Sequence, residues 1–122
     1  MRVTDVGIRV KRAYDAASPR DGKRYLVDRL WPRGLCKESL RIDGWLRDVS
    51  PSPALREWFA HDPEKWPEFQ RRYRAELDAR PDGLAVLLEA ARTGTVTLLF
   101  SARDVERNSA VLLAEYLKEN QR

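Results

Sequence analysis

The run Val96-Thr97-Leu98-Leu99-Phe100 constrains the fold of this chain more than any other stretch. It combines β-branched, aliphatic and aromatic residues without an alternation of apolar and polar positions, so it predicts a strand. A strand of this kind must be covered on both faces, which is typical of a parallel sheet packed between helices. Because helical patterns dominate the rest of the chain, we expect a small layered α/β domain. Its sheet is predicted to be short, mainly parallel and three-stranded, with about five flanking helices.

The other two strands are predicted in the first third of the chain. The first strand has apolar residues at every second position, namely Val6, Ile8 and Val10, and ends near Lys11-Arg12. The second strand runs from Tyr25 to about Leu30 and is stopped by Pro32, which cannot donate a ladder hydrogen bond. Residues 13–24 between them contain turn formers without helical periodicity, and we expect an exposed loop there.

Capping signals mark the central helices. Ser52-Pro53 and Asp62-Pro63 each place an N-cap side chain before a proline at the first helical position. The second of these helices carries an apolar stripe at spacings of three and four, formed by Trp66, Phe69, Tyr73 and Leu77. We expect most aromatic residues at helical spacing to lie in the core, namely Trp45, Trp58, Phe59, Trp66 and Phe69.

Three further helices are predicted from weaker patterns. After Gly34, a short helix would bury Leu40, Trp45 and Leu46 on one face. A second helix carries Leu84, Leu87, Leu88 and Ala91 and ends at Gly94. The last helix is predicted from about Asp104 to Lys118.

Length and composition limit the class of protein. With 122 residues, the chain is predicted to form one domain over residues 1–122. It contains no apolar run of the length that a membrane span requires and no apolar signal-peptide core. The single cysteine, Cys36, cannot form an internal disulfide. We therefore expect a cytoplasmic protein that does not associate with a membrane.

The positive charge of the chain is concentrated near its start. The net charge is +4, and residues 1–41 hold eleven Lys and Arg against five Asp and Glu. A local excess of positive charge attracts anions such as phosphates, carboxylates or nucleic acid. The alternative is a solvated basic surface without a ligand.

Charged and polar residues follow each predicted strand. They are Lys11-Arg12, the segment from Asp28 to Arg33, and the turn from Ser101 to Asp104. If the strands are parallel, these segments meet at the carboxyl edge of the sheet, where ligands bind in such folds. The third segment also leads into a helix, whose first amides favour anions.

Asp28 and Arg29 interrupt an otherwise apolar run. In an extended strand they point to opposite faces, so they need separate partners. Arg33 or Lys11 are candidate partners for Asp28, and Asp104 or a ligand anion for Arg29. Because a guanidinium fork matches both carboxylate and phosphate, the residue types fit an anion site and a structural ion network equally well.

Other candidate groups are isolated in the sequence. His61 has the side-chain type for general acid–base chemistry at neutral pH, but bonding to the neighbouring helix start is the simpler role. Cys36 lies next to Lys37, whose charge favours a thiolate, although no base is near in sequence. One histidine and one cysteine do not make a zinc site, and no glycine-rich phosphate loop or cofactor motif is present. Trp31 is the aromatic residue best placed to line a site.

The chain resembles the YeaO-like family, a branch of the bacterial domain of unknown function 488. The most specific match is the run from Leu26 to Gly34, and matching motifs also cover Lys11–Asp15, Asp21-Gly22, Lys37, Pro51-Ser52, Leu55-Arg56, His61, the helix from Phe69 to Leu77, Thr97–Leu99 and Asn108–Ala110. The resemblance implies a small cytoplasmic α/β protein without an established activity. The family often has a histidine where this chain has Ser109, and other branches have a Cys-His-Arg triplet that is absent here. An acid–base role for that histidine therefore does not carry over.

Three hypotheses follow. The first is an enzyme acting on a small anionic substrate, such as a nucleotide or phosphorylated metabolite, with Asp28 and His61 as catalytic candidates. The second is a non-catalytic module that binds a ligand or nucleic acid, and the third is a partner protein with an apolar face. In the first two, the substrate-binding candidates are Lys11, Arg12, Arg29, Trp31, Arg33, Lys37, Ser101, Asp104 and Asn108.

Overall fold

The computed structural model describes residues 7–120, which form a sheet of four parallel strands. The strands are β1 (Ile8–Arg12), β2 (Lys23–Leu26), β3 (Gly44–Trp45) and β4 (Val96–Phe100), and their order in the sheet is β1-β4-β2-β3. Every pairing is parallel, which confirms the predicted mainly parallel sheet. The predicted number of strands was one too low, because β3 has two residues and is too short to show an alternation pattern.

Five α-helices accompany the sheet, as predicted. They are α1 (Lys37–Leu40), α2 (Pro53–Phe59), α3 (Trp66–Asp78), α4 (Pro81–Thr93) and α5 (Ser109–Glu119). Ser52 caps α2 by accepting a hydrogen bond from the Leu55 amide, and Asp62 caps a short 3-10 turn that leads into α3. Within the described residues, no helix has both the length and the apolar character needed to cross a membrane.

Strand β4 is buried on both faces, as its sequence predicts. Its five residues are at most 3% exposed. Val96, Leu98 and Phe100 face the larger core, which the sheet shares with α2 to α5. Leu99 faces a smaller core on the opposite side, together with Leu26 and Leu40 of α1. The continuous apolar run thus serves two cores at once.

The aromatic residues divide between the core and its margin. Phe59 of α2 is buried in the larger core, and so are Phe69, Tyr73 and Leu77, which confirms three of the four residues of the predicted stripe on α3. The tryptophans are half-buried and pack at the edges of the two cores, at positions 45, 58 and 66.

Polar and charged side chains are also buried on the side of the sheet that carries the smaller core. Asp21 and Arg24 are buried and form an ion pair, and Lys11 pairs with the same carboxylate. The Thr97 hydroxyl donates to the Asp21 carbonyl, so the polar residue of β4 is also satisfied. Although burial by itself raises the pKa of Asp21, hydrogen bonds from Lys11 and the Ser18 amide hold it below its ordinary value. The prediction of an exposed loop over residues 13–24 was therefore wrong at its end, where β2 begins at Lys23.

Several predicted boundaries differ from the structure. Strand β2 ends at Leu26, and residues 28–30 form a bend instead of continuing the strand. Trp45 lies in β3 instead of a helix, and α1 ends at Leu40. Helix α5 starts at Ser109, because the Asp104 carboxylate accepts backbone hydrogen bonds from the next turn.

The predicted first strand is confirmed from Ile8 to Arg12, although its alternation does not fully match burial. Ile8 is buried, whereas Val10 is exposed at 37%. Val6 lies outside the described residues.

Gly22 occupies a position that other residues cannot adopt without strain. Its φ is +63°, and an added Cβ would lie 2.1 Å from the Thr95 carbonyl oxygen. That carbonyl also accepts the Lys23 amide at the start of β2, so it cannot move away freely.

We expect Gly22→Ala to lower the free energy of unfolding by more than ~2 kcal/mol, because it combines a steric clash with a strained backbone. Urea denaturation followed by circular dichroism measures this change. Gly94→Ala is the matched control, since an added Cβ there meets nothing within 4 Å and its φ of 170° is extended. Equal denaturation midpoints for the two variants would contradict the assignment.

Candidate functional site

A cavity of about 680 Å³ lies beyond the carboxyl ends of β2 and β4. Its walls come mainly from three segments of the chain, residues 28–33, 50–61 and 100–109. The predicted convergence of the Asp28–Arg33 and Ser101–Asp104 segments therefore occurs, because β2 and β4 are parallel neighbours. Lys11 and Arg12, at the end of β1, do not line the cavity.

Asp28 is a half-buried carboxylate in the cavity wall. Its Oδ2 accepts hydrogen bonds from the Ser101 amide at 2.9 Å and from the Ser101 hydroxyl at 2.8 Å. Burial raises the pKa of Asp28 above its ordinary value, although the Ser101 bonds and the charge of Arg56 act in the opposite direction. The predicted partners were wrong, since Lys11 pairs with Asp21 and no ion pair joins Asp28 to Arg33.

Arg29 has a buried nitrogen without a partner. No residue of the described chain accepts a hydrogen bond from its Nε, which solvent does not reach. The predicted partner Asp104 instead pairs with Arg107 at 3.0 Å. A buried donor without an acceptor costs about 1–3 kcal/mol, so the Arg29 Nε is a local cost to the fold.

Four of the five arginines that line the cavity have no partner within residues 7–120. Arg107 is paired with Asp104, whereas no described residue forms an ion pair or a hydrogen bond with the guanidinium groups of the other four, namely Arg29, Arg33, Arg56 and Arg103. The carboxylates in the wall are Asp28 and Asp104. The cavity therefore has an excess of positive charge, and the unpaired guanidinium groups are available to an anion.

Sequence reasoning missed three of these arginines. Arg103 lies in the turn from Ser101 to Asp104 that was predicted to meet the carboxyl edge of the sheet, although it was not named as a binding candidate, and Arg107 lies where the last helix was predicted. Arg56 lies on α2, and nothing local indicates that α2 lies against the end of β2. These arginines also show that the site draws on the whole chain as well as on its basic first third.

The wall before α2 is fixed by α3 and by Arg80, the residue that precedes α4. The Tyr73 hydroxyl donates to the Val49 carbonyl, and Arg80 Nη1 donates to the Ser50 carbonyl at 2.8 Å. The Glu76 carboxylate accepts hydrogen bonds from the amide and the hydroxyl of Ser52. These contacts hold Ser50 and its neighbours in place without using groups that face the cavity.

The wall after β4 is fixed by two residues that were predicted to bind ligand. The Arg12 guanidinium donates to the Ser101 and Ala102 carbonyls, each at 3.0 Å. Asn108 donates to the Asp104 carbonyl and caps α5 by accepting the Val111 amide. Both side chains thus support the loop, and Asn108 also lines the cavity.

Aromatic rings form the apolar part of the walls. Trp31 lines the cavity, donates to the Leu35 carbonyl and packs edge-on against Trp45 at 5.3 Å. Tyr14 donates to the Arg33 carbonyl, and its side chain remains 42% exposed. Phe59, Phe69 and Phe100 contribute from the core.

His61 also lines the cavity. Among the described residues, no hydrogen-bond partner of its side chain supports the predicted role in acid–base chemistry. It follows Ala60, and the two residues have φ values of 58° and 47°, a strained conformation for non-glycine residues. Within the described chain, no hydrogen bond joins His61 to Asp28, the other predicted catalytic residue.

Lys37 and Cys36 lie away from the cavity. Lys37 is exposed at the start of α1, and Cys36 is exposed beside it. The Ser39 hydroxyl lowers the pKa of the Cys36 thiol. Within residues 7–120, no group of three His, Cys, Asp or Glu side chains is arranged to hold a metal ion.

Comparison with known proteins identifies the family. A model described as the inactive subclade of DUF488-N3 matches residues 7–122. This chain belongs to the DUF488 family. An uncharacterized protein of Mycobacterium tuberculosis is 42% identical over 115 residues, which cover 94% of this chain and 97% of that protein. The uncharacterized protein YeaO of Escherichia coli is 39% identical over 113 residues, covering 93% of this chain and 98% of YeaO. No solved structure matches this DUF488 protein.

The Asp28 environment predicts a specific pH dependence. Since the folded-state pKa is raised, the folded protein holds a proton that the unfolded chain releases, and stability falls as pH rises through this window. Asp28→Asn removes this loss. We expect the stability of the variant, relative to the unsubstituted protein, to be greater at pH 7 than at pH 3.5, as measured by urea denaturation at both values.

Asp28→Ala separates charge from hydrogen bonding. This variant leaves the Ser101 amide without its acceptor, and we expect a loss of about 1–3 kcal/mol at both pH values. If Asp28→Asn were destabilised as strongly as Asp28→Ala at pH 7, the burial of the charge would not be costly.

Proposed function

We propose that this protein binds a small phosphate-bearing molecule in the arginine-lined cavity and does not catalyse a reaction on it. The observation that carries the proposal is the set of four unpaired arginines, one of which has a buried Nε without an acceptor. Guanidinium groups donate paired hydrogen bonds that match phosphate oxygens. A phosphate ligand would therefore satisfy donors that the described residues leave free.

The absence of catalysis is supported by how the candidate groups are used. Asp28 is bound to Ser101, and no hydrogen bond within residues 7–120 couples it to His61. Ser109 lines the cavity at the position where the resemblance to the YeaO-like family implies a histidine. General acid–base catalysis needs a positioned group of suitable pKa, and nucleophilic catalysis needs a base within reach of the nucleophile. The description of the family model as an inactive subclade agrees with this proposal.

The shape of the site favours a small molecule over a nucleic acid duplex. The arginines lie around a cavity of about 680 Å³, a volume within the range of small-molecule sites. A duplex is bound through phosphates spread along an extended surface.

The proposal predicts that pyrophosphate stabilises the folded protein. Binding stabilises by RT ln(1 + [L]/Kd), which is about 2.7 kcal/mol at a ligand concentration of one hundred times Kd. We expect the melting temperature to rise by several degrees in a pyrophosphate titration at low salt. Sulfate at the same ionic strength controls for general salt effects. No shift specific to pyrophosphate would contradict the proposal.

Arg29→Met tests whether the buried guanidinium serves a ligand at the expense of stability. Because its Nε has no acceptor, we expect the variant to be at least as stable as the unsubstituted protein, with a gain of up to ~1 kcal/mol. Its affinity for pyrophosphate should fall at least tenfold in isothermal titration calorimetry. Arg20→Met, an exposed arginine away from the cavity, is the matched control and should bind normally. Loss of stability without loss of binding would assign Arg29 to the fold instead.

A further inference from the structure

Asp28 introduces a negative charge into a cavity that otherwise suits anions. Both hydrogen bonds that it accepts end on Oδ2, and no donor within residues 7–120 reaches Oδ1. An asparagine would accept the same two bonds from Ser101 without repelling a phosphate. The carboxylate therefore has a use beyond holding Ser101, and the chemistry that remains to it is acceptance of a hydrogen bond from a ligand.

The net charge of the side chains that line the cavity indicates how many phosphate groups a ligand carries. Four arginines are unpaired within the described chain, and Asp28 is the carboxylate not neutralised by an arginine. The excess is therefore close to three positive charges. A phosphate monoester carries about −1.5 to −2 at neutral pH, so two phosphate groups match this excess better than one.

The walls also have room and surface for an apolar group. The cavity volume of about 680 Å³ is much larger than a diphosphate requires. Trp31 lines it two residues before Arg33, and Tyr14, which is 42% exposed, lines it and donates to the Arg33 carbonyl. Aromatic side chains of this kind stack on nucleobases.

We infer that the ligand is a ribonucleoside diphosphate, with its phosphates on the unpaired arginines, a ribose hydroxyl donating to Asp28 Oδ1 and its base on the wall formed by Tyr14 and Trp31. This inference rests on the proposed function and names the ligand class of the same cavity. A ribose supplies the hydroxyl donor that pyrophosphate lacks, and it lies between the phosphates and the base. Asp28 is thus the residue that selects a ribonucleotide over a simple anion.

The test compares ligands with and without the hydroxyl donors. Isothermal titration calorimetry is performed with pyrophosphate, the four common ribonucleoside diphosphates and their 2′,3′-dideoxy counterparts. The proteins are the unsubstituted chain, Asp28→Asn and Asp62→Asn. Asp62 caps a 3-10 turn outside the cavity, and asparagine serves equally well as a cap, so this variant is the matched control.

We expect the unsubstituted protein to bind its best ribonucleotide at least tenfold more tightly than the dideoxy form, because a hydrogen bond to a charged acceptor is lost. In Asp28→Asn this preference should fall to about threefold, while affinity for pyrophosphate rises because the repulsion is gone. Asp62→Asn should behave like the unsubstituted protein. Melting temperatures of all three proteins establish that they are folded.

The outcomes separate the two proposals. If the unsubstituted protein binds neither pyrophosphate nor any nucleotide, the proposed function fails and the inference fails with it. If it binds pyrophosphate but treats ribose and dideoxyribose forms alike, the inference alone is overturned. A ribose preference that persists unchanged in Asp28→Asn overturns the assignment to Asp28.

Discussion

The pairing of β4 between β1 and β2 positions two of the three wall segments of the cavity, residues 28–33 and 100–109. Because all three strands are parallel, the segments that follow them leave the sheet at the same edge. Each neighbour then holds the loop after β4 through one side chain. Asp28, after β2, accepts the amide and hydroxyl of Ser101, and Arg12, at the end of β1, donates to the carbonyls of Ser101 and Ala102. The loop is thus fixed from both sides by residues that the sheet itself places.

Two arginines with buried side-chain nitrogens differ in whether the chain supplies acceptors for them. On the smaller face of the sheet, Arg24 is paired with Asp21 and also donates to backbone carbonyls. Five residues later, Arg29 buries a nitrogen for which the described chain supplies no acceptor. Total stabilities are about 5–15 kcal/mol, so an unpaired buried donor is a substantial cost to a domain of this size. Arg24 is thus bound within the fold, whereas the described chain leaves the Arg29 Nε without an acceptor.

Local sequence patterns predicted the strands and helices in which a long run of residues determines which side chains are buried. The continuous run in β4 predicted burial on both faces, and the stripe on α3 predicted the side chains that reach the core. The ends of the helices and strands around the site were harder to predict, because single side chains determine them. Asp104 turns the chain before α5 begins, and Asn108 caps that helix in its place. A helical pattern does not distinguish the two.

Contacts between distant segments were not predictable from local patterns. The Asp21–Arg24 pair is buried because the segment before β2 packs against Thr97 of β4, which is 76 residues from Asp21. Arg56 of α2 lines the same cavity as Asp28, although 28 residues separate them in the chain. The partner of Asp28 was also wrongly predicted, since charge favoured a cation and the structure supplies the polar groups of Ser101. Residue type indicated the presence of a site, while the three-dimensional packing decided which groups remain free within it.

The arrangement of the arginines bears on how such a site gains affinity. Arg33, Arg56 and Arg103 are exposed side chains that lose rotamer freedom when they bind a ligand, at a cost of about 0.5–1.5 kcal/mol each. Arg29 is already half-buried, and its Nε is shielded from solvent. Part of the rotamer freedom of the Arg29 side chain is therefore already lost when the protein folds. The segment before α2 is likewise held by the contacts of Tyr73, Glu76 and Arg80, so this part of the cavity wall is fixed by the fold itself.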